Sequence, residues 1–221
     1  MKTFESRIFL LAFALILLAC VPLLIWHRGE VVLLLQAYHT PAFDALFHLL
    51  TALGNGIIFL PLIILFSAFH YRDAILASSI GLLHALLCAF FKQVIFSDMP
   101  RPKAFFNGQH ILHQMPGITL HSHHAFPSGH TATAFAFALL LILIIRKNWT
   151  IILMFLAILI AISRIYIGQH FYADVVGGAL IGTISVFIVF QIDAVISWPS
   201  WTSHGWLHHR KVVAPPDNSL E

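Results

Sequence analysis

Six apolar segments, each close to the length needed to cross a lipid bilayer, dominate this sequence. They span about residues 7–26, 53–70, 73–96, 128–145, 149–167 and 171–197. A membrane-crossing α-helix needs roughly 20 predominantly apolar residues. Inside the hydrocarbon core the backbone must satisfy its own hydrogen bonds, which favours helices. The segments therefore predict an all-α polytopic membrane protein, a bundle of six transmembrane helices.

Composition supports a single membrane domain. Of 221 residues, 59% are hydrophobic and 10% are charged, which is more apolar surface than a soluble domain of this length can bury. We expect one transmembrane domain over residues 1–203 and a polar C-terminal tail over 204–221. The formal charge of +3 is small and the basic residues are scattered between apolar segments, so the bilayer, and not nucleic acid, is the expected partner. The oligomeric state is left open.

Two apolar segments need separate treatment. Residues 31–50 are interrupted by His39-Thr40-Pro41 and Asp44, which predicts a location at the membrane interface. Cys20 follows a basic start and an apolar run, as in a lipoprotein signal. However, the apolar run continues to Trp26, so a first membrane span is preferred. The stretch 97–126 is the one long loop, and loops of this length tend to be functional.

The distribution of basic residues predicts the orientation, because cytoplasmic loops carry an excess of Lys and Arg. With the N-terminus inside, Arg28, Lys103 and three cations of the site described below fall outside. Both termini are then cytoplasmic, and the outer face looks towards the periplasm of a bacterial inner membrane. The cytoplasmic set is Lys2, Arg7, Arg72, Arg146, Lys147, Arg210 and Lys211.

Polar groups stand at the ends of four predicted spans. Lys92 lies near the end of the third, Pro127-Ser128-Gly129-His130 opens the fourth, Ser163-Arg164 ends the fifth, and His170 with Asp174 opens the sixth. Because consecutive spans alternate in direction, these ends meet on the outer face. Ionisable groups at membrane depth are costly and point to function.

The residue types suit phosphate binding. Lys92, Arg101 and Arg164 bring three positive charges to grip an oxyanion. Pro127 suits a first helical turn, and the following Ser128 and Gly129 should leave backbone N–H groups free as a phosphate cradle.

Two histidines suit the transfer of the phosphoryl group. His170 and Asp174 are four residues apart and share a helix face, so the carboxylate can hold one ring nitrogen as N–H and leave the other free to attack. His130 is suited to protonating a leaving oxygen. No cluster of the nine acidic residues resembles a magnesium or two-metal site. The sequence therefore predicts a reaction without a metal or other cofactor.

The same residues resemble the type 2 phosphatidic acid phosphatase family. Pro127-Ser128-Gly129-His130 matches its second motif, and Ser163-Arg164, five residues, His170, three residues and Asp174 match its third. Lys92 and Arg101-Pro102 resemble the first motif, usually Lys, six residues and Arg-Pro, although eight residues intervene here. The resemblance covers about residues 50–195. It implies the helical bundle of that family and of the haloperoxidases, with His170 attacking phosphorus and His130 acting as the acid.

The expected function is thus an integral membrane lipid phosphatase that works through a phosphohistidine. Candidate substrates are undecaprenyl pyrophosphate, phosphatidylglycerol phosphate, phosphatidic acid and lipid A phosphates. The alternative is a non-catalytic phospholipid binder or transporter on the same bundle, which would need the cations but not an attacking imidazole. High hydropathy argues against the soluble haloperoxidases.

The remaining histidines have simpler interpretations. His84, inside a span, is expected to be packed and hydrogen-bonded. The loop histidines could bind a metal, but no cysteine or carboxylate cluster accompanies them, so a solvated or head-group-facing loop is preferred. They are His110, His113, His121, His123 and His124.

Overall fold

A computed structural model describes residues 3–24, 26–110, 112–145 and 149–209. Within these ranges the chain folds into α-helices and helical turns, with no strand, which confirms the all-α prediction. The helices are α1 Thr3–Cys20, α2 Glu30–Ala37, α3 Pro41–Leu53, α4 Phe59–Phe69, α5 Tyr71–Phe90, α6 Pro102–Phe106, α7 Gly129–Ile145, α8 Thr150–Tyr166, α9 Tyr172–Asp193 and α10 Trp206–His209.

Two helices in the described part of the chain are long and apolar enough to cross a membrane by themselves. They are α5 with the π-helical turn that extends it, Tyr71–Ile95, and α9. A third candidate is the pair Pro41–Leu53 and Gly56–Phe69, which is bent by 55°. Arg7–Cys20, α7 and α8 are shorter apolar helices. The number of six spans therefore stays a prediction.

The second predicted span, 53–70, differs from the observed structure. Its helical part α4 has only 11 residues, because the chain breaks at Gly54 and Asn55. The Asn55 side chain accepts a hydrogen bond from the Ile57 amide at 3.0 Å and thereby starts a new turn. The segment 31–50, which was predicted to lie at the interface, contains most of α2 and of α3. Helix α3 leads directly into this bend and packs against α8.

The centre of the bundle is the contact between α7 and α9. A Cβ atom added at Gly178 would lie 2.4 Å from the Ser128 carbonyl oxygen, and one at Gly182 would lie 2.3 Å from that of Ala132. The two backbones therefore touch, which only glycine permits at these positions. This contact brings the start of α7 next to the start of α9, where the predicted motif residues lie.

A partly buried ion pair lies at the opposite end of the bundle. Arg72, at the start of α5, forms a bidentate salt bridge with Asp193, at the end of α9. The indole N–H of Trp198 donates to the same carboxylate at 2.8 Å. Arg72 thus lies at the end of the bundle remote from the predicted site, as the orientation argument requires.

The predicted polar tail begins with ordered structure. Helix α10 packs against α4, and Gly205 lies against the backbone of Ala68. Residues 210–221 lie outside the described residues. So do five basic residues used for the orientation: Lys2, Arg146, Lys147, Arg210 and Lys211.

Candidate active site

Four helix ends converge, as the sequence predicted. The Ser128 amide, before α7, donates to the Asp174 carbonyl in α9 at 2.8 Å. The positive charges of Lys92, Arg101 and Arg164 act on both His130 and His170. The structure therefore brings the predicted site residues together at one end of the bundle.

His170 and Asp174 form a buried pair. The His170 Nδ1 atom lies 3.4 Å from Asp174 Oδ2, and the two residues are 1% and 3% exposed. The Phe171 amide donates to the same carboxylate oxygen at 2.9 Å, which fixes the carboxylate in the first turn of α9. Burial, and then the charge of Arg164, lower the pKa of His170 well below its usual range. A neutral ring that donates through Nδ1 leaves Nε2 with a free electron pair.

Arg164 presents a buried donor without an acceptor. Its Nη1 atom donates to the hydroxyl of Thr51, at the end of α3. Its Nε atom is fully buried and has no hydrogen-bond partner among the described residues. A buried N–H without a partner is rare in folded proteins and calls for an explanation. An oxyanion bound in the site would accept from it.

Arg101 is held by four hydrogen bonds. Its Nε atom donates to the His123 carbonyl at 2.8 Å, and Nη1 donates to the side-chain oxygen of Gln169 at 2.6 Å. Longer bonds of 3.4 Å reach the carbonyls of His124 and Gln169. The guanidinium is therefore fixed in one orientation before any substrate arrives.

Lys92 reaches the site despite the longer spacing to Arg101. It lies in the π-helical turn Phe91–Ile95 that extends α5, and its charge acts on Asp174 as well as on both histidines. The His124 ring contacts the Lys92 carbonyl at 3.2 Å, which ties the long loop to this turn.

The predicted phosphate cradle has fewer free backbone N–H groups than expected. The Ser128 amide is occupied by the Asp174 carbonyl, and the Ser128 hydroxyl accepts from the Thr131 hydroxyl at 3.0 Å. The prediction of a free amide is therefore wrong for Ser128, because the close packing of α9 supplies an acceptor. The amides of Gly129 and His130, in the first turn of α7, have no intrahelical acceptor by geometry. They are the groups left to bind an anion.

His130 lies beside the bend between α3 and α4. A Cβ atom added at Gly54 would lie 3.1 Å from the His130 Cβ and 2.8 Å from Ile160. The ring is partly exposed, unlike that of His170, and the two imidazoles are close enough for the charge of one to act on the other.

Three contributors to the site were missed by sequence reasoning. Gln169 and Thr51 orient Arg101 and Arg164, and Arg28 acts on Asp174. Only Gln169 carries a signal in the sequence, its position next to His170. Thr51 and Arg28 are distant in sequence from the residues on which they act, so no local sequence pattern reveals them.

The histidines outside the site also have definite partners. His84 is buried and contacts the Ile80 carbonyl and the Thr133 hydroxyl, as expected. His113, in the long loop, bonds to Asp44 at 2.8 Å and stacks on His39. Among the described residues no three His, Cys, Asp or Glu side chains form a group suited to a metal ion.

An all-helical bundle with clustered cations and a buried imidazole–carboxylate pair at one end defines a membrane enzyme that handles phosphate esters. The model of the PAP2 superfamily matches residues 72–198, and the chain belongs to this superfamily. It is accordingly a hydrolase of the lipid phosphatase class, embedded in a membrane.

Similarity in sequence and similarity in structure both support the assignment. Phosphatidylglycerophosphatase B of Bacillus subtilis is 30% identical over 162 residues, which cover 66% of this chain and 73% of the relative. The crystal structure of Aquifex aeolicus LpxE superposes with a TM-score of 0.66 at 30% identity, covering 74% of this chain and 94% of that one. A PAP2 type phosphatidylglycerolphosphate phosphatase from Bacillus subtilis gives 0.61 at 25% identity, covering 86% and 97%.

Proposed function

We propose that the protein removes a phosphate group from a lipid head group through a covalent phosphohistidine. The observation that carries the proposal is the buried pair of His170 and Asp174 beside the unpartnered Nε–H of Arg164. An imidazole held by a carboxylate is a nucleophile, and a buried cationic donor is a ready ligand for the phosphoryl group it would attack. A protein that only bound lipid phosphate would need the cation but not the oriented imidazole.

In the first step His170 attacks phosphorus. A bond forms between Nε2 and phosphorus while the bond from phosphorus to the lipid oxygen breaks. Asp174 stabilises the positive charge that builds on the imidazole. His130 gives its proton to the leaving oxygen. The negative charges of the bound substrate offset the surrounding cations, so His130 holds that proton more readily once the substrate is bound.

In the second step water replaces the histidine. A water molecule loses a proton to the now neutral His130 and attacks phosphorus. The nitrogen–phosphorus bond breaks, inorganic phosphate leaves, and His170 returns to its starting state. In both steps Lys92, Arg101 and Arg164 offset the charge on the phosphoryl oxygens, the task that a metal ion performs in other phosphatases. The proposed reaction therefore requires no metal.

The proposed substrates are phosphorylated lipids of the bacterial envelope. The names of the relatives favour phosphatidylglycerol phosphate, and undecaprenyl pyrophosphate, phosphatidic acid and lipid A phosphates are the other candidates. The site lies at the end of the bundle opposite Arg72, which supports a periplasmic active site with cytoplasmic termini. Parallel assays of phosphate release from the four lipids in detergent would identify the substrate.

The roles assigned to His170, the nucleophile, and His130, the acid, can be tested by trapping the phosphorylated intermediate. Protein mixed with a radiolabelled phosphate ester and quenched should carry acid-labile, base-stable phosphate. His130→Ala should still form this species, most visibly with a leaving group that needs no proton, although turnover of a lipid alkoxide should fall by roughly two to four orders of magnitude. His170→Ala should form none. Histidine phosphorylation that persists in His170→Ala would refute the assignment of roles.

A further inference from the structure

The carboxylate of Asp44 joins three segments of the chain, although it belongs to none of the three motifs. Asp44 lies in the first turn of α3. Its Oδ1 atom accepts from the hydroxyl of Tyr166, at the end of α8, at 2.6 Å, and its Oδ2 atom lies 2.8 Å from Nε2 of His113 in the long loop. The side chain is 18% exposed, and a charge so little exposed is costly unless it is paired. Both carboxylate oxygens are paired, so Asp44 holds α3, α8 and the loop together.

The end of α8 is held a second time by Gln36, which is buried in α2. The Gln36 Nε2 atom donates to the Tyr166 carbonyl at 3.1 Å, and the Gln36 side-chain oxygen accepts from the His113 amide at 3.1 Å. Tyr166 is thus bound through its hydroxyl by Asp44 and through its carbonyl by Gln36. The end of α8 has little freedom to shift against α3, because side chain and backbone are both fixed.

Two turns further along α3, the same helix reaches the proposed reaction site. Thr51 follows Asp44 by seven residues, which places both on one face of the helix. The Thr51 hydroxyl accepts from Nη1 of Arg164, which precedes Tyr166 by two residues. Between these two contacts the rings of Phe47 and Tyr166 pack with their centroids 4.3 Å apart. The pairing of Asp44 with Tyr166 therefore sets the register in which Thr51 meets Arg164.

The direction of the Arg164 guanidinium depends on that register. A guanidinium is planar, so the acceptor that binds Nη1 also fixes the direction of Nε–H. Nε is the buried donor without a partner among the described residues, and it is proposed above to bind the phosphoryl group. A displacement of about 1 Å in a group that contacts the reacting atoms can cost up to roughly 100-fold in rate. A small slide of α3 along α8 would therefore be enough to weaken catalysis.

We infer that Asp44 is a positioning residue for the reaction. Its bond to Tyr166 holds α3 in register on α8, and the register keeps the Thr51 hydroxyl on Arg164. The inference rests on the proposed phosphatase function and adds a residue that contacts neither the substrate nor the catalytic histidines.

The first test compares two substitutions of Asp44 by phosphate release from phosphatidic acid in detergent. Asp44→Ala removes the acceptor of the Tyr166 hydroxyl and should lower kcat/KM by about tenfold. Asp44→Asn keeps a carbonyl oxygen for that hydroxyl and should retain at least about a third of the activity. Inhibition by vanadate, which needs the same cations, should weaken in parallel with kcat/KM. Equal losses in the two variants would overturn the inference, because they would show that the charge and not the bond matters.

A double-mutant cycle tests whether Asp44 acts through Thr51. Thr51→Val has nearly the same shape and leaves Nη1 of Arg164 without its acceptor, so kcat/KM should fall roughly 10- to 100-fold. In that background Asp44→Ala should cost less than about threefold more, because the position of an absent hydroxyl no longer matters. Losses that multiply would show that Asp44 acts independently of Thr51 and would overturn the inference. If Asp44→Ala does not fold, Tyr166→Phe takes its place in the cycle, since it removes the same bond and keeps the ring.

Asp73→Ala is the matched control. Asp73 lies at the remote end of the bundle, is 17% exposed and also pairs with a histidine, His70. It should lower the melting temperature and change vanadate inhibition by less than about twofold. A change as large as that of Asp44→Ala would make the effect one of general stability and would overturn the inference.

Vanadate binding also provides a readout without turnover, because a bound ligand raises the melting temperature. The rise should be smaller in Asp44→Ala and Thr51→Val than in the wild-type protein and unchanged in Asp73→Ala. An unchanged rise in Asp44→Ala would overturn the inference. If the wild-type protein releases phosphate from none of the four lipids, the phosphatase proposal itself fails, and this result is visible before any variant is compared.

Discussion

Replacing Gln169 by methionine should weaken catalysis by disturbing Arg101. The Gln169 side chain is 3% exposed and uses both of its polar atoms. Its oxygen accepts from Arg101 Nη1 at 2.6 Å, and its nitrogen donates to the Thr119 carbonyl at 2.7 Å. Methionine has a similar length and removes both hydrogen bonds without adding charge. The guanidinium would then keep only its bonds to backbone carbonyls.

The size of the effect follows from these contacts. A hydrogen bond to a charged group contributes about 1.5–3 kcal/mol. The 2.8 Å bond from Arg101 Nε to the His123 carbonyl remains and limits the movement of the guanidinium. We therefore expect a loss of transition-state stabilisation near the lower end of this range, which corresponds to a fall in kcat/KM of roughly 10- to 30-fold.

A second variant separates position from charge. Gln169→Glu would place a carboxylate against Arg101 and neutralise the cation, so affinity for the anionic inhibitor vanadate should fall further than in Gln169→Met. The assay is phosphate release from phosphatidic acid in detergent, combined with the inhibition constant for vanadate and a thermal melt that monitors folding. Gln109→Met, at an exposed position of the long loop 97–126, is the control. Values for Gln169→Met within about twofold of the wild-type protein would refute the argument that Gln169 positions Arg101.

Four further predictions concern metal, pH, packing and topology. Phosphate release should survive excess EDTA and be inhibited by vanadate; activity restored only by added magnesium or zinc would contradict the metal-free reaction. Phosphoenzyme formation, corrected for substrate ionisation, should persist as pH falls through about 6.5, the usual histidine value. The lowered pKa keeps His170 neutral there, and a loss centred near 6.5 would contradict this. Gly178→Ala should lower stability by at least about 1–3 kcal/mol through overlap with the Ser128 carbonyl. Gly56→Ala, at a position where a Cβ atom has room, should not lower stability. Equal melting temperatures for the two variants would refute the close contact between α7 and α9. Asn107→Cys, in a protein lacking Cys20 and Cys88, should react with a membrane-impermeant thiol reagent added from the periplasmic side. Labelling that occurs only after the membrane is permeabilised would show that the orientation is opposite to the one proposed.

The sequence alone determined the features that depend on short stretches of chain. Apolar runs of membrane length predicted the helices, because hydrophobicity and backbone hydrogen bonding act locally. The spacing of His170 and Asp174 predicted their pairing, since residues four apart share a helix face. The motif residues at alternate helix ends predicted a common site, because the direction of consecutive spans alternates.

The tertiary structure alone decided how that site is supported. The Ser128 amide is occupied because glycines let α9 touch α7, and Arg164 is oriented because a break after Gly54 turns α3 towards α8. The hydrogen bond from Arg28 to the carbonyl of Pro100, the residue before Arg101, joins residues more than 70 positions apart. Such contacts depend on how distant helices pack, and packing is set by the sum of many weak interactions across the whole bundle. No local pattern in the chain carries that information.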